Sequence, residues 1–482
     1  MAALFDLVIR GGTVVGEEAP YEADVGIKDG VIAALSAPGQ GRALGGTQII
    51  DARGKHVLPG VIDCHVHFRQ PGYEYKEDWA TGTIAAAFGG VTTALEMPSL
   101  APATDSVERF LEKKHLAEGM AYVDFGLYGL VSENSLPNLV AMHEAGAIGF
   151  KCYLSTAHSQ STSNAQLPIS DGSFLEAFEA LSQTGARCAI HAENGAIVEK
   201  RTARLKSMGR MDAEAHAVSR PAVCAIEAVT RSITFAEWTG TKIHIAHEGT
   251  AAGIDAVSAA KARGVDVTVE TCPQYLLLTV DDLRAHGGIV RCNPPVRDQA
   301  DQDRLWQAIR TGEIDAVATD HAPHTPAEKR SENIWYCECG IVGIETALPI
   351  MLTEVSRGRI SISDYVRIAS VNPAKVWRLY PRKGTIRLGS DADIVVVDLA
   401  AVAKIDQEKL HSKSKVSAWH GRDVKGLPIY TLVRGKVIVA NGELVGERGW
   451  GRYVSQTPAV PTPRNEHLAL FDASFHKSAS PN

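Results

Sequence analysis

The chain has 482 residues, of which 45% are hydrophobic and 22% are charged, and its formal net charge is −7. This length exceeds one ordinary domain, but it fits an α/β barrel of about 250 residues with a smaller second domain. The mild charge without basic runs predicts no nucleic-acid partner. Because no apolar stretch reaches the roughly 18–20 residues of a membrane span, and no signal peptide is recognisable, we expect a cytoplasmic protein without a membrane partner.

Both ends of the chain have the sequence pattern of short β-strands separated by turns. Short apolar runs such as 7–9, 13–15 and 31–32 alternate with Gly-Gly and Asp-Gly dipeptides, and similar runs return at 394–397 and 436–439. Such dipeptides between β-branched runs indicate hairpins. We therefore predict one small β-sandwich domain composed of residues 1–55 and 386–454.

The middle of the chain, residues 56–385, alternates short apolar runs with amphipathic segments, which is the βα pattern of a parallel sheet. One helix is expected to begin at Ser173, with Glu176 completing a capping box, and to end at Gly185. Residues 253–263 and 302–311 have the same pattern. The fold class is therefore α/β, a (β/α)8 TIM barrel with the terminal β-domain attached, and the proline- and serine-containing residues 455–482 are expected to form an extended tail.

The strongest local signal is His65-x-His67, which ends an apolar run and precedes a polar loop. Side chains alternate faces along a strand, so both imidazoles point the same way and can grip one cation. The pattern is weak by itself, since a histidine pair also occurs in packed cores. The position of the pattern strengthens the prediction of a cation site, because barrel enzymes place their catalytic residues at the carboxyl ends of strands.

Further polar residues end apolar runs in the same manner. A lone histidine or lysine there is more often structural, but a whole series in strand order is hard to produce by chance. The additional members of the series are Lys151, His191, His247 and Asp320.

The order of these residues resembles the cyclic amidohydrolases, the group that contains dihydroorotase, allantoinase and dihydropyrimidinase or hydantoinase. The resemblance extends from about residue 5 to about residue 450 and includes the composite β-domain. It implies an enzyme that hydrolyses a carbon–nitrogen bond in a small cyclic amide, and an assembly that is a homodimer or a homotetramer.

The resemblance also implies a binuclear metal centre. His65, His67 and Asp320 would hold the more buried cation, and His191 and His247 would hold the other. Lys151, carboxylated on its Nζ by carbon dioxide, would bridge them. Imidazoles with oxygen anions suit two Zn²⁺ per subunit, although other divalent metals would fit the same ligands.

The chemistry explains the need for such a set. Water has a pKa of about 15.7, and binding to a metal lowers it to about 7. The resulting hydroxide can attack the ring carbonyl. We expect Asp320 to accept its proton and deliver it to the leaving nitrogen, as general base and then general acid.

The substrate is less defined, and dihydroorotase is the main hypothesis. The resemblance makes Arg69 the contact for a substrate carboxylate, with Ser99, Asn293 and His324 as further substrate contacts. Against this hypothesis, Ser99 replaces the asparagine of the family. Residues 149–152 resemble allantoinase, and residues 272–276 resemble hydantoinase or dihydropyrimidinase, so both enzymes are alternatives. Another cyclic amide or imide hydrolase is a further alternative. A non-catalytic scaffold is a remote alternative, because every metal position is retained.

Overall fold

A computed structural model of the chain describes residues 5–37, 45–156 and 168–456. Its strands fall into two sheets, one of nine strands and one of eight. In chain order the strands are β1 (Phe5–Val14), β2 (Tyr21–Lys28), β3 (Val31–Ser36), β4 (Gly46–Asp51), β5 (His56–Pro59), β6 (Val61–Val66), β7 (Val91–Glu96), β8 (Asp124–Val131), β9 (Gly149–Tyr153), β10 (Arg187–His191), β11 (Lys242–Ile245), β12 (Val267–Thr271), β13 (Ala316–Val317), β14 (Ile394–Lys404), β15 (Asp423–Val433), β16 (Lys436–Ala440) and β17 (Glu443–Leu444).

Helices occupy most of the connections between the strands of the second sheet. Among the described residues, no helix is both long and apolar enough to cross a lipid bilayer. The helices are α1 (Trp79–Phe88), α2 (Val107–Glu118), α3 (Leu139–Glu144), α4 (Asp171–Thr184), α5 (Gly195–Ser207), α6 (Ala213–Ser219), α7 (Ala222–Thr239), α8 (Ala251–Ala262), α9 (Pro273–Leu277), α10 (Val280–His286), α11 (Gln299–Thr311), α12 (Pro326–Lys329), α13 (Ala347–Ser356), α14 (Ile362–Val366) and α15 (Asn372–Val376).

The eight-stranded sheet is a parallel barrel. Strands β6 to β13 lie side by side in chain order. An isolated parallel bridge between Val66 and His321 joins the two edges, and the backbone N–H of His67 donates to the His321 carbonyl at 2.8 Å. The predicted barrel is therefore confirmed, and its closure brings the first and last strands together.

The nine-stranded sheet combines the two ends of the chain, as predicted. Its main path runs β17, β16, β15, β14, β5, β1, β2 and β3, and β4 also pairs with β1. Side chains from both ends, among them Leu7, Val25 and Val396, share one separate apolar core. β5, which begins at the predicted domain boundary, pairs with β1 and β14. The predicted tail, apart from its first two residues, lies outside the described residues.

Local sequence determines where the helices begin and end. α4 is capped by Ser170, whose side chain accepts from the Ser173 N–H, so the capping box predicted at Ser173 is wrong. Ser170 has the extended backbone of a cap, whereas Ser173 already lies within the first turn. The predicted stop at Gly185 is confirmed, because this residue adopts φ 67°, in the left-handed region that glycine tolerates.

A buried charge cluster joins the barrel to the terminal domain. The Lys383 ammonium donates to Asp124, at the start of β8, at 2.7 Å. It also pairs with Asp391 at 3.1 Å and with Asp393, just before β14. Arg434, beyond β15, binds the same Asp124 carboxylate. Asp124 and Asp393 are buried and Asp391 is partly buried, and such a group of carboxylates is tolerable only with these cations present.

We predict that Lys383→Met lowers the free energy of unfolding by about 3–5 kcal/mol, because it leaves buried carboxylates uncompensated. Thermal or urea unfolding measures the change. Lys404→Met is the matched control, since Lys404 and its partner Asp423 have side chains that are 64% and 82% exposed. Equal stability of the Lys383 and Lys404 variants would contradict this account of the cluster.

Candidate active site

The residues singled out along the sequence converge at one end of the barrel. His65 lies near the end of β6, Lys151 lies in β9, and His191 ends β10. His67, His247 and Asp320 follow β6, β11 and β13 within a few residues. All of them are buried. These are the carboxyl ends of parallel strands, the face on which barrel enzymes carry their sites.

Three of these side chains form a compact group. The Asp320 Oδ1 lies 3.3 Å from His65 Nε2 and 3.2 Å from His67 Nε2. One ligand atom from each of the three lies within 4.8 Å of the others, which is compatible with a single metal ion.

A second pair of imidazoles adjoins this group. The His191 Nδ1 lies 3.0 Å from the His247 Nε2, and the His247 ring centroid lies 5.2 Å from that of His65. Burial, together with nearby cationic groups, lowers the pKa of His67 and His247 well below the usual range, and burial also lowers the pKa of His191. Neutral imidazoles have lone pairs that a cation can accept.

Lys151 is the unusual member of the set. Its side chain is fully buried, and among the described residues its Nζ has no hydrogen-bond partner. The Nζ lies 5.2 Å from the centroid of the Tyr153 ring, and burial lowers its pKa. An unpartnered buried amine is costly. Such a position fits an amine that is covalently modified and binds a metal through the added group. Together with the histidines and Asp320, Lys151 is therefore compatible with a binuclear divalent-metal centre.

The backbone is strained where the site residues leave their strands. Positive φ values of 65°, 39° and 47° occur at Arg69, His247 and Asp320, none of which is glycine. Such conformations cost about 1–3 kcal/mol each and cluster at functional sites. The strain is consistent with side chains aimed for chemistry rather than for stability.

The pocket above these residues adds side chains that the sequence analysis missed. Its described lining comprises His65, His67, Tyr153, His191, His247, Asn293, Asp320, Ala322, Cys339 and Gly340. Tyr153 could have been found from its position two residues after Lys151 on β9, because such residues share a face of a strand. The segment that carries Cys339 and Gly340 has no comparable signal.

Of the four predicted substrate contacts, one lies in the described lining of the pocket and three do not. Asn293 lines the pocket, whereas Arg69, Ser99 and His324 are absent from its described lining. The Arg69 Nε donates to the Pro323 carbonyl at 3.2 Å, and its Nη2 lies 3.1 Å from the His324 ring. Ser99 hydrogen-bonds to the Tyr153 hydroxyl.

Two buried carboxylates behind the histidines were also missed. Glu270, in β12, contacts His65, and Glu193, just after β10, contacts His191. Burial alone would raise the pKa of Glu193, but Arg220 and His191 lower it to about 2. An acidic residue inside an apolar strand run, such as Glu270 in β12, is the sequence signal that could have found the first.

Comparisons with known proteins agree with this geometry. The model of the amidohydrolase family matches residues 56–438. The chain is 35% identical to the L-hydantoinase of Paenarthrobacter aurescens, over 94% of this chain and 98% of that protein. It is 35% identical to the allantoinase of Bacillus licheniformis, over 93% of this chain and 99% of that protein.

Solved structures give the same result. The L-hydantoinase (dihydropyrimidinase) structure from Arthrobacter aurescens superposes with a TM-score of 0.91 at 35% identity, covering 94% of this chain and 100% of that one.

Proposed function

The chain belongs to the amidohydrolase family, and we propose that within this family it hydrolyses the ring amide of hydantoins. It is a hydrolase of cyclic amides, as its hydantoinase and allantoinase relatives indicate. Allantoin is itself a hydantoin that carries a ureido substituent, so one substrate class covers both names. The predicted homodimer or homotetramer stays a prediction.

The comparisons support the alternatives of the sequence analysis better than its main hypothesis, dihydroorotase. The pocket gives a physical reason. No lysine or arginine belongs to its described lining, and the Arg69 guanidinium is directed to the Pro323 carbonyl and His324. A ring carboxylate would make no direct contact with a cationic side chain of the described lining, whereas a neutral ring needs none. Arg69 is nevertheless close enough to add to the effect of burial in lowering the pKa of His67. The similarity to hydantoinase and allantoinase relatives over nearly the whole chain is the observation that carries the hydantoin proposal.

Two divalent cations fit the donor set, and we assign zinc to them, with other divalent metals compatible. His65, His67 and Asp320 would hold one cation, and His191 and His247 would hold the other. When bound, such cations supply hydroxide at neutral pH and polarise the amide carbonyl.

Lys151 is assigned the bridge. A neutral or protonated amine is a poor ligand for two cations, but its carbamate, formed with carbon dioxide, offers two anionic oxygens. The complete burial of Lys151 and the lack of a partner for its Nζ among the described residues support this assignment.

The remaining steps belong to side chains of the pocket. The Asp320 carboxylate accepts the proton of the attacking water and returns it to the ring nitrogen as the carbon–nitrogen bond breaks. Burial raises the pKa of Tyr153 well above the usual range of a phenol, so its hydroxyl stays protonated. We assign Tyr153 as a hydrogen-bond donor to the oxygen that becomes negative during the attack.

A panel of matched substrates tests the proposed substrate class. Dihydrouracil and dihydroorotate differ by one carboxylate, and hydantoin and allantoin represent the proposed class. We expect turnover of hydantoin or allantoin, and a kcat/KM for dihydroorotate at least about tenfold below that for dihydrouracil, because a carboxylate would be desolvated without a cationic partner. Preference for dihydroorotate over dihydrouracil would refute the proposal and would favour Arg69 as the contact for a substrate carboxylate.

Lys151→Ala should lose metal and activity together, because the bridging ligand is removed. Short carboxylic acids such as acetate or propionate should restore part of both by occupying the gap. Lys113→Ala controls for the loss of a buried ammonium outside the site, and it should keep its metal in the fraction that folds. Lys113 is also buried, but it donates to the Met97 carbonyl at 3.0 Å and pairs with Glu96 at 3.5 Å. Metal analysis and turnover are the measurements, and normal metal content in the Lys151 variant would contradict the bridging role.

Asp320→Asn should lower kcat by about 10²–10⁴-fold, because an amide cannot accept and return the proton. Thermal unfolding should change far less than turnover. Asp423→Asn makes the same chemical change at a side chain that is 82% exposed, and turnover should be unchanged in this control variant. Activity of the Asp320 variant within a fewfold of the unmodified enzyme would place proton transfer on another group.

A further inference from the structure

Each proposed cation position contains one histidine that is held from behind by a buried carboxylate. The His65 Nδ1 lies 2.5 Å from Glu270 Oε1, and the His191 Nε2 lies 2.9 Å from Glu193 Oε2. Both glutamates are buried to at least nine-tenths. An ionised carboxylate only accepts hydrogen bonds, so the imidazole nitrogen that faces it carries the proton.

This arrangement fixes a different tautomer at each position. With the proton on Nδ1, His65 presents its Nε2 lone pair, and this atom is the one 3.3 Å from Asp320 Oδ1. With the proton on Nε2, His191 presents Nδ1, and this atom is the one 3.0 Å from His247 Nε2. In both rings, the nitrogen left free is the one that faces the proposed cation.

The two carboxylates differ in how their charge is compensated. The Arg220 Nη1 hydrogen-bonds to Glu193, and Arg220 is itself buried. Glu270, in contrast, has only histidines among its described ion pairs, namely His65 and His244.

The other acceptor sites of Glu270 are filled by neutral donors. The backbone N–H of His247 donates to Oε1 at 3.1 Å, and the Cys64 thiol donates to Oε2 at 3.2 Å. The described hydrogen bonds and ion pairs of Glu270 thus include no arginine or lysine, whereas Arg220 offsets the charge of Glu193.

We propose that Glu270 and Glu193 are positioning residues that each control the cation affinity of one position, and that Arg220 weakens the position of His191 and His247. The inference rests on the proposed binuclear metal centre. A carboxylate behind a ligating imidazole orients the ring and raises its basicity, and losing such a partner typically costs about 10–100-fold in metal affinity. A cation near a cation site opposes binding, so Arg220 acts in the opposite direction.

The test is a titration of metal-free protein with Zn²⁺ in competition with a chromogenic chelator, which yields a dissociation constant for each position. His67→Ala removes a histidine from one position and His247→Ala removes one from the other. The dissociation constant that changes in each variant therefore belongs to that position. Glu270→Gln should weaken the His65 position about 10–100-fold and spare the other, and Glu193→Gln should do the reverse. Arg220→Gln should tighten the His191 position, because it removes a cation that opposes binding of Zn²⁺ there.

Glu354→Gln is the matched control, because Glu354 is a fully buried carboxylate paired with Arg357 and Arg359 on a helix of the barrel exterior. Both zinc affinities should be unchanged in this variant. Thermal unfolding with excess chelator shows whether each metal-free variant is folded.

Opposite effects of the Glu193 and Arg220 variants support the proposal. Parallel losses overturn it, because a merely structural pair would lose affinity together, and an unchanged constant in Arg220→Gln overturns the role assigned to Arg220. This comparison decides the matter even if Glu270→Gln does not fold. Unchanged constants in Glu270→Gln and Glu193→Gln also overturn it. Failure of the unmodified protein to bind Zn²⁺ would instead refute the proposed metal centre.

Discussion

Closure of the barrel between β6 and β13 is the constraint on which the site depends. The Asp63 carboxylate accepts from the Thr319 N–H at 3.1 Å and from the Thr319 hydroxyl, and it lies 3.3 Å from the His65 N–H. One buried carboxylate thus ties the first strand to the last, across 256 positions of sequence. Only with this closure do His65 and His67 lie beside Asp320, so the cation position of these residues is a product of topology rather than of local sequence.

The assembled site is costly for the free protein. It buries several imidazoles, an amine without a described partner and a carboxylate, and it places His247 and Asp320 at positive φ. Burial lowers the pKa of His67 and of His191, which favours the neutral imidazoles whose lone pairs can bind a cation. Groups arranged in this way are stabilised when a cation satisfies them together, which couples folding of the site to metal binding.

The sequence allowed the barrel, the composite terminal domain and the convergence of the six site residues to be predicted, because strand ends are recognisable from apolar periodicity. The position of the Arg69 side chain could not be predicted in the same manner. Continued strand alternation would direct Arg69 to the same face as His67, but Arg69 has φ 65°, and its guanidinium is directed to the Pro323 carbonyl. The roles of Glu193 and Glu270 could not be predicted for a related reason. The apolar run of β12 marks Glu270 as an unusual acidic residue, but which histidine ring each glutamate contacts follows only from the tertiary structure.

The barrel separates the requirements of stability from those of chemistry. Lys383 and Asp124 lie where β8 begins, at the amino-terminal end of the strands, and they join the barrel to the terminal sheet. The strained backbone of His247 and Asp320 lies beyond the carboxyl ends of β11 and β13. Charge pairing thus joins the fold at one end of the strands, whereas the carboxyl ends carry the side chains of the pocket. Glu270 lies near the carboxyl end of β12, and its contact with the His65 ring links this strand to the site.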